Sequence, residues 1–170
     1  VLHYNGDYAL YALRHLEPDY DFYLLVENDA TINIDIEKLL LDAVSENVDL
    51  IGQIDEFNSE AHAEWHRNVK QWFHNTGRLF FPVIGVSAEM VDQLYRKRLD
   101  LTKEENGEAD WPYCETYVAS AALSKPNARI VDLTDIADLT HYTFMKHNTC
   151  AIPRCINLAV SATRSPEMIL

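Results

Sequence analysis

Apolar positions along the chain fall into short continuous runs and helical stripes, each closed by a capping or breaking residue. Asp7 can cap a first helix running to about Glu17, with Ala9, Ala12, Leu13 and Leu16 along one face and Pro18 marking its end. Residues 22–26, Phe-Tyr-Leu-Leu-Val, are an uninterrupted apolar run of strand length, the pattern of a strand covered on both faces. Asp35 caps a second helix in which Ile36, Leu39, Leu40, Ala43 and Val44 recur at the spacing of a buried stripe. Residues 48–54 read as a strand, Ser59 opens a helix with Ala61, Trp65, Val69, Trp72 and Phe73 on one side, and residues 79–86 read as a further strand. Ser87 then caps a helix to about Arg98. The polar stretch 102–110, which includes Gly107, reads as a surface loop. Pro112 fits the first turn of a helix to about Leu123, and residues 128–133 return as a strand before a weakly patterned tail from about residue 144. The alternation predicts an α/β fold: a layered, mostly parallel sheet flanked by helices, in one domain over residues 1–170.

Composition narrows the partners. The chain has 170 residues, one domain's worth, with 14 basic and 27 acidic side chains for a net charge of −13. Its longest basic run is Arg96-Lys97-Arg98, so a nucleic-acid partner, which needs clustered cations for phosphates, is not expected. No apolar run approaches the roughly 18 residues of a membrane helix, so no membrane span is expected. Cys114, Cys150 and Cys155 are odd in number and lack C-x-x-C spacing, which suggests a reducing compartment. The opening Val-Leu-His-Tyr-Asn-Gly has neither the basic region nor the apolar core of a signal peptide, so the expected location is cytoplasmic and the start reads as truncated or processed.

The most informative position is Val26-Glu27-Asn28-Asp29, where an apolar strand ends in two carboxylates one residue apart. In open α/β sheets ligands bind beyond the carboxyl ends of strands, and a Glu and an Asp there can hold a hard cation, Mg²⁺ or Mn²⁺, whose remaining positions go to water and substrate phosphates. The competing reading is a solvated acidic strand end with Asp29 as a turn residue.

The segment Asn5-Gly6-Asp7, a helix, and then 18–29, Pro-Asp-Tyr-Asp-Phe-Tyr-Leu-Leu-Val-Glu-Asn-Asp, resembles the core of GT-A glycosyltransferases, in which a helix and a D-x-D-tipped strand precede the active centre. Here the tip reads Glu-x-Asp. The resemblance implies that Glu27 and Asp29 bind a divalent metal bridging the diphosphate of a nucleotide sugar, with Asn28 at the donor. Residues 81–87, Phe-Pro-Val-Ile-Gly-Val-Ser, followed by a helix, look like the family's acceptor-side strand, where Gly85 would let the backbone approach the transferred sugar. Residues 109–116, Ala-Asp-Trp-Pro-Tyr-Cys-Glu-Thr, resemble the acidic segment that supplies the catalytic base of inverting members; Glu115 is the choice for that base, Asp110 its competitor and equally a helix cap, and Trp111 a substrate contact. His141, with His147 in reserve, has the place of the C-terminal histidine that completes the metal shell in many members. The resemblance runs from Asn5 to about Thr143 and lacks the strand-helix-strand unit that precedes this point in such domains and holds the nucleotide base.

Other patterns point elsewhere or nowhere. His62 and His66 are four apart, but Glu64 is misplaced for a zinc-protease helix, and no dinucleotide fingerprint, P-loop or nucleophile elbow is present. The expected activity is therefore metal-dependent transfer of a sugar from a nucleoside diphosphate donor to a hydroxyl acceptor, on a glycan or otherwise. The alternatives are a non-catalytic carbohydrate-binding or interaction domain on the same fold, and a sugar-phosphate nucleotidyltransferase.

Overall fold

The protein is described from a computed structural model that defines residues 5–27, 30, 32–56, 68–103, 111–137 and 139. Its elements are α1 (Tyr8–Leu16), β1 (Phe22–Val26), α2 (Ile36–Ser45), β2 (Leu50–Glu56), β3 (Gly77–Ser87), α3 (Ala88–Leu101), α4 (Cys114–Ser124), β4 (Ile130–Asp132) and a short 3₁₀ turn at Leu133–Asp135. The helix expected from Ser59 lies largely outside the described residues. Val69 is buried and ends the helix, whereas Trp72 and Phe73, expected on the same helix, lie in the turn after it and still pack against the core.

The four described strands are ordered β1-β3-β2-β4. β3 lies antiparallel between β1 and β2, and only β2 and β4 pair in parallel, so the sheet is mixed where a mostly parallel one was expected. The physical reason is that an uninterrupted apolar run reports burial on both faces and is silent about direction. Both faces are in fact covered. Tyr23, Leu50, Leu79, Phe81, Ile84 and Val86 pack with Leu10 of α1, Met90 and Leu94 of α3, and Tyr117 and Val118 of α4. Phe22, Leu24, Ile51 and Val83 pack on the opposite face with Leu40 and Ala43 of α2 and with Leu133.

β3 changes register partway along. Leu79 and Phe81 share a face with Ile84 and Val86, a step of three residues where strict alternation needs an even one. Opposite, the partners jump from Gly85↔Ile51 to Phe80↔Gln53. Pro82 sits inside this bulge, where its missing N–H costs no ladder bond. Its carbonyl accepts the Glu27 N–H at 2.8 Å, so the bulge also ties down the end of β1.

Two caps form as the local sequence dictates: Asp35 accepts the Lys38 N–H at 3.0 Å and Ser87 accepts that of Met90 at 3.1 Å. Asp7 does not follow them. Its carboxylate makes no capping bond and is fully buried among side chains. The expected inner face of α1 is also corrected. Of that face Leu13 packs against the core, but Ala9, Ala12 and Leu16 are exposed, and the helix is anchored by Leu10, because two alanines bury too little apolar area to outweigh one leucine. α3 continues one turn beyond the expected end, to Leu101, and α4 starts at Cys114, two residues after Pro112. No helix among the described residues is long and apolar enough to cross a membrane.

Candidate acidic site at the end of the sheet

β1 delivers Glu27 to the sheet end. The strand stops at Val26, Glu27 is exposed, and its carbonyl accepts the Ala30 N–H at 3.0 Å, so the chain turns at once. Asn28 and Asp29, the other two positions of the acidic tip, lie outside the described residues, as do Asp110, His141 and His147.

Glu115 is the second residue of α4 and half-buried. Burial pushes its carboxyl above the ordinary glutamate range, the Arg78 guanidinium on β3 pulls it back, and the Glu27 carboxylate pushes it up further. Three side chains from β1, β3 and α4 therefore share one electrostatic neighbourhood. The helix N-terminus favours the ionised carboxylate of Glu115, in opposition to its desolvation.

Behind α4 lies a buried polar cluster. The Arg98 Nε donates to Asp7 Oδ2 at 2.9 Å and its Nη2 to Asp7 Oδ1 at 3.1 Å, a two-pronged pair in which neither side chain is more than 4% exposed. The Arg98 Nη1 donates to the Pro112 carbonyl at 3.0 Å. Tyr11 donates its hydroxyl to Asp7 Oδ2 at 2.6 Å. The guanidinium lies 3.8 Å from the Tyr117 ring centroid and 5.0 Å from that of Trp111.

Trp111, expected at the substrate, is thus half-buried against Arg98, and its indole N–H donates to Asn5 Oδ1 at 3.1 Å. Gly85 also has a different setting from the one expected. It stands inside β3, paired with Leu24 and Ile51, and a Cβ there would lie 2.7 Å from the Phe22 ring and 3.2 Å from Ile51 Cβ. Its missing side chain makes room for core packing on that face.

Of the residues expected to hold metal, only Glu27 is described, and among the described residues no three His, Cys, Asp or Glu side chains gather as a metal centre. The donors that do share the sheet end, Glu27 and Glu115, are carboxylates, the ligand type that suits hard Mg²⁺ or Mn²⁺.

Sequence reasoning missed Arg98 and Arg78. A signal for Arg98 existed: with Met90, Val91, Leu94 and Leu101 it completes the buried stripe of α3. A charged residue at such a position is rarely buried without a partner, so it announces a buried carboxylate elsewhere. Arg78 carries no comparable pattern. Comparisons with family models, curated proteins and solved structures return no match for this chain.

Proposed function

We propose that the protein is a metal-dependent glycosyltransferase acting on a nucleoside diphosphate sugar. The observation that carries this reading is the pairing of a strand-tip carboxylate, Glu27, with the burial-raised carboxyl of Glu115 at one end of the sheet. Such a raised acid can be both ionised near neutrality and basic enough to accept a proton. Glu27, with Asp29 and His141, would hold Mn²⁺ or Mg²⁺, which supplies Lewis-acid neutralisation of the departing diphosphate.

This chain's own chemistry is then proton management. As the acceptor oxygen bonds to the anomeric carbon and the bond to the diphosphate breaks, the Glu115 carboxylate takes the hydroxyl proton in an inverting reaction. Arg78 keeps Glu115 from being protonated too readily, and Glu27 keeps it from becoming too weak a base.

The test is thermal stabilisation and donor turnover with UDP and GDP sugars, with and without Mn²⁺, and a CMP sugar as a control without a diphosphate. Wild type should be stabilised by one diphosphate donor only with metal, and Asp29→Ala should lose that response. Glu115→Gln should bind the donor but not transfer the sugar. A protein that binds no nucleotide sugar under any condition overturns the reading. Donor binding without turnover, unaltered by Glu115→Gln, would make it a carbohydrate-binding domain.

A further inference from the structure

We propose that Arg98 is a positioning residue for Glu115: anchored on Asp7, its guanidinium grips the Pro112 carbonyl and lies against Trp111 and Tyr117, and so fixes the first turn of α4 from which Glu115 faces the sheet end. The catalytic meaning of this clamp rests on the glycosyltransferase reading; its structural content does not.

The first turn of α4 lacks the usual device for holding a helix start. Tyr113 occupies the capping position and its side chain makes no capping bond. Besides the Thr116 hydroxyl, which donates to the Tyr113 carbonyl at 3.0 Å, the turn is held from other elements. Arg98 Nη1 meets the Pro112 carbonyl at 3.0 Å, Trp111 is tied to Asn5 at 3.1 Å, and the Tyr117 hydroxyl donates to the Leu94 carbonyl at 2.6 Å, one turn before Arg98 on α3. Gly6 closes the other flank, since a Cβ there would lie 2.9 Å from Phe81 and 3.3 Å from the Cys114 Sγ. The tethered residues 111, 112, 114 and 117 bracket Glu115 on both sides in sequence.

The direction follows from helix geometry. Successive residues advance by about 100°, so Tyr117 and Glu115, two apart, point to nearly opposite sides of α4. Gripping the Tyr117 side therefore sets the outward direction of Glu115. The groups that act on Glu115 from the neighbouring elements are Arg78 on β3 and Glu27 after β1. Arg98 touches none of these contacts directly, so its effect on Glu115 passes through the backbone.

Arg98 is suited to the task because a guanidinium is a planar fork with five donors in fixed directions, and it can serve a carboxylate and a carbonyl at once while stacking on rings. A lysine would keep the charge opposite Asp7 but lose the fork. Arg98→Lys in the full chain is therefore the informative variant, read by amide hydrogen exchange and by a separation of kcat from KM.

Exchange at the Tyr117 and Val118 amides should rise about tenfold or more relative to Ile51 and Val86 in the sheet, whose amides should keep wild-type rates. Sugar transfer should lose roughly a hundredfold in kcat, the scale of a misplacement near 1 Å, while the donor KM stays within about twofold. Equal acceleration in α4 and the sheet would overturn the proposal, since the ion pair would then serve only global stability. An unchanged kcat in an active enzyme would overturn it as well. If wild type transfers no sugar, the functional reading fails by itself and the exchange pattern decides the clamp alone. Should Arg98→Lys not fold, Asn5→Ala removes the acceptor of the Trp111 indole N–H; it should give a smaller rise at the same amides, and no rise would count against the clamp.

Discussion

Removing either partner of the Asp7–Arg98 pair should be among the most destabilising single substitutions in this domain. Asp7→Asn preserves shape but puts an amide nitrogen where one carboxylate oxygen stood. Asp7 Oδ2 accepts both the Arg98 Nε–H and the Tyr11 hydroxyl, and Oδ1 accepts the Arg98 Nη2–H, so at least one of these donors must then face another donor. The larger penalty is the guanidinium itself, which is 4% exposed and left without a counter-charge. Breaking a buried pair from one side costs about 3–5 kcal/mol, against total domain stabilities of roughly 5–15 kcal/mol. Arg98→Met should cost a similar amount by leaving Asp7 stranded and the Pro112 carbonyl without its Arg98 bond.

The double variant Asp7→Leu/Arg98→Met separates this account from simple loss of contacts. It removes both charges, so the desolvation penalty disappears along with the attraction, and only the bonds of Tyr11 and Pro112 remain to be replaced. It should cost less than either single variant. Urea denaturation with a common m-value reads all three, and about 1 M salt should alter the coupling little because the pair is dry. A useful contrast is Lys38–Asp42, whose side chains are 70% and 54% exposed; Asp42→Ala should leave the urea midpoint nearly unchanged. If the double variant costs the sum of the singles, the two charges are not coupled and the reasoning is wrong.

Other expectations follow from single sites. Burial raises the Glu115 carboxyl in the folded chain, so folding is coupled to holding its proton: wild-type stability relative to Glu115→Gln should fall as pH rises from the ordinary glutamate range through the raised value, and denaturation midpoints that move in parallel would refute this. Gly85→Ala should destabilise by about 1–3 kcal/mol in urea, because its Cβ meets the Phe22 ring and Ile51; a neutral result would mean that β3 relaxes freely there. Burial pushes the Cys114 thiol up to about 11, so at pH 8 it is held as the unreactive thiol. In a Cys150→Ser/Cys155→Ser background its disulfide-exchange labelling should be limited by opening of the fold, and rapid labelling of the native protein would contradict the burial assigned to it.

What could be read from the sequence was what neighbouring residues decide. The caps at Asp35 and Ser87 involve bonds over three residues, and β1 declares itself by five consecutive apolar side chains. The direction of β3 is decided elsewhere, by which strands flank it, and so is the bulge at Pro82, which depends on the register with β2. The same division explains Asp7. As a residue before a helix it reads as a cap, and the reading fails because a partner 91 positions away offers a charge-assisted bond on each carboxylate oxygen. A capping bond from a backbone N–H has charge on the acceptor alone and is the weaker competitor for the same oxygens.

Arg98 shows how composition can mislead about a site. Arg96-Lys97-Arg98 counts as the chain's longest basic run, yet its members end in different surroundings: Arg98 is buried, and Lys97 lies 5.8 Å from the Phe73 ring centroid. The run is therefore not a cationic patch. Its last member faces inward, and three of its guanidinium nitrogens bond to the start of α1 and the approach to α4. In a chain of net charge −13, a cation spent on internal architecture leaves the acidic sheet end with fewer basic neighbours. Arg78 is the cation that acts on Glu115 there, against the combined push of burial and Glu27. On the proposed glycosyltransferase reading, such a site would need added positive charge to hold a diphosphate, and a divalent cation on carboxylate oxygens would supply it. On that reading, the two carboxylates at the sheet end and the need for metal would be two aspects of one electrostatic constraint.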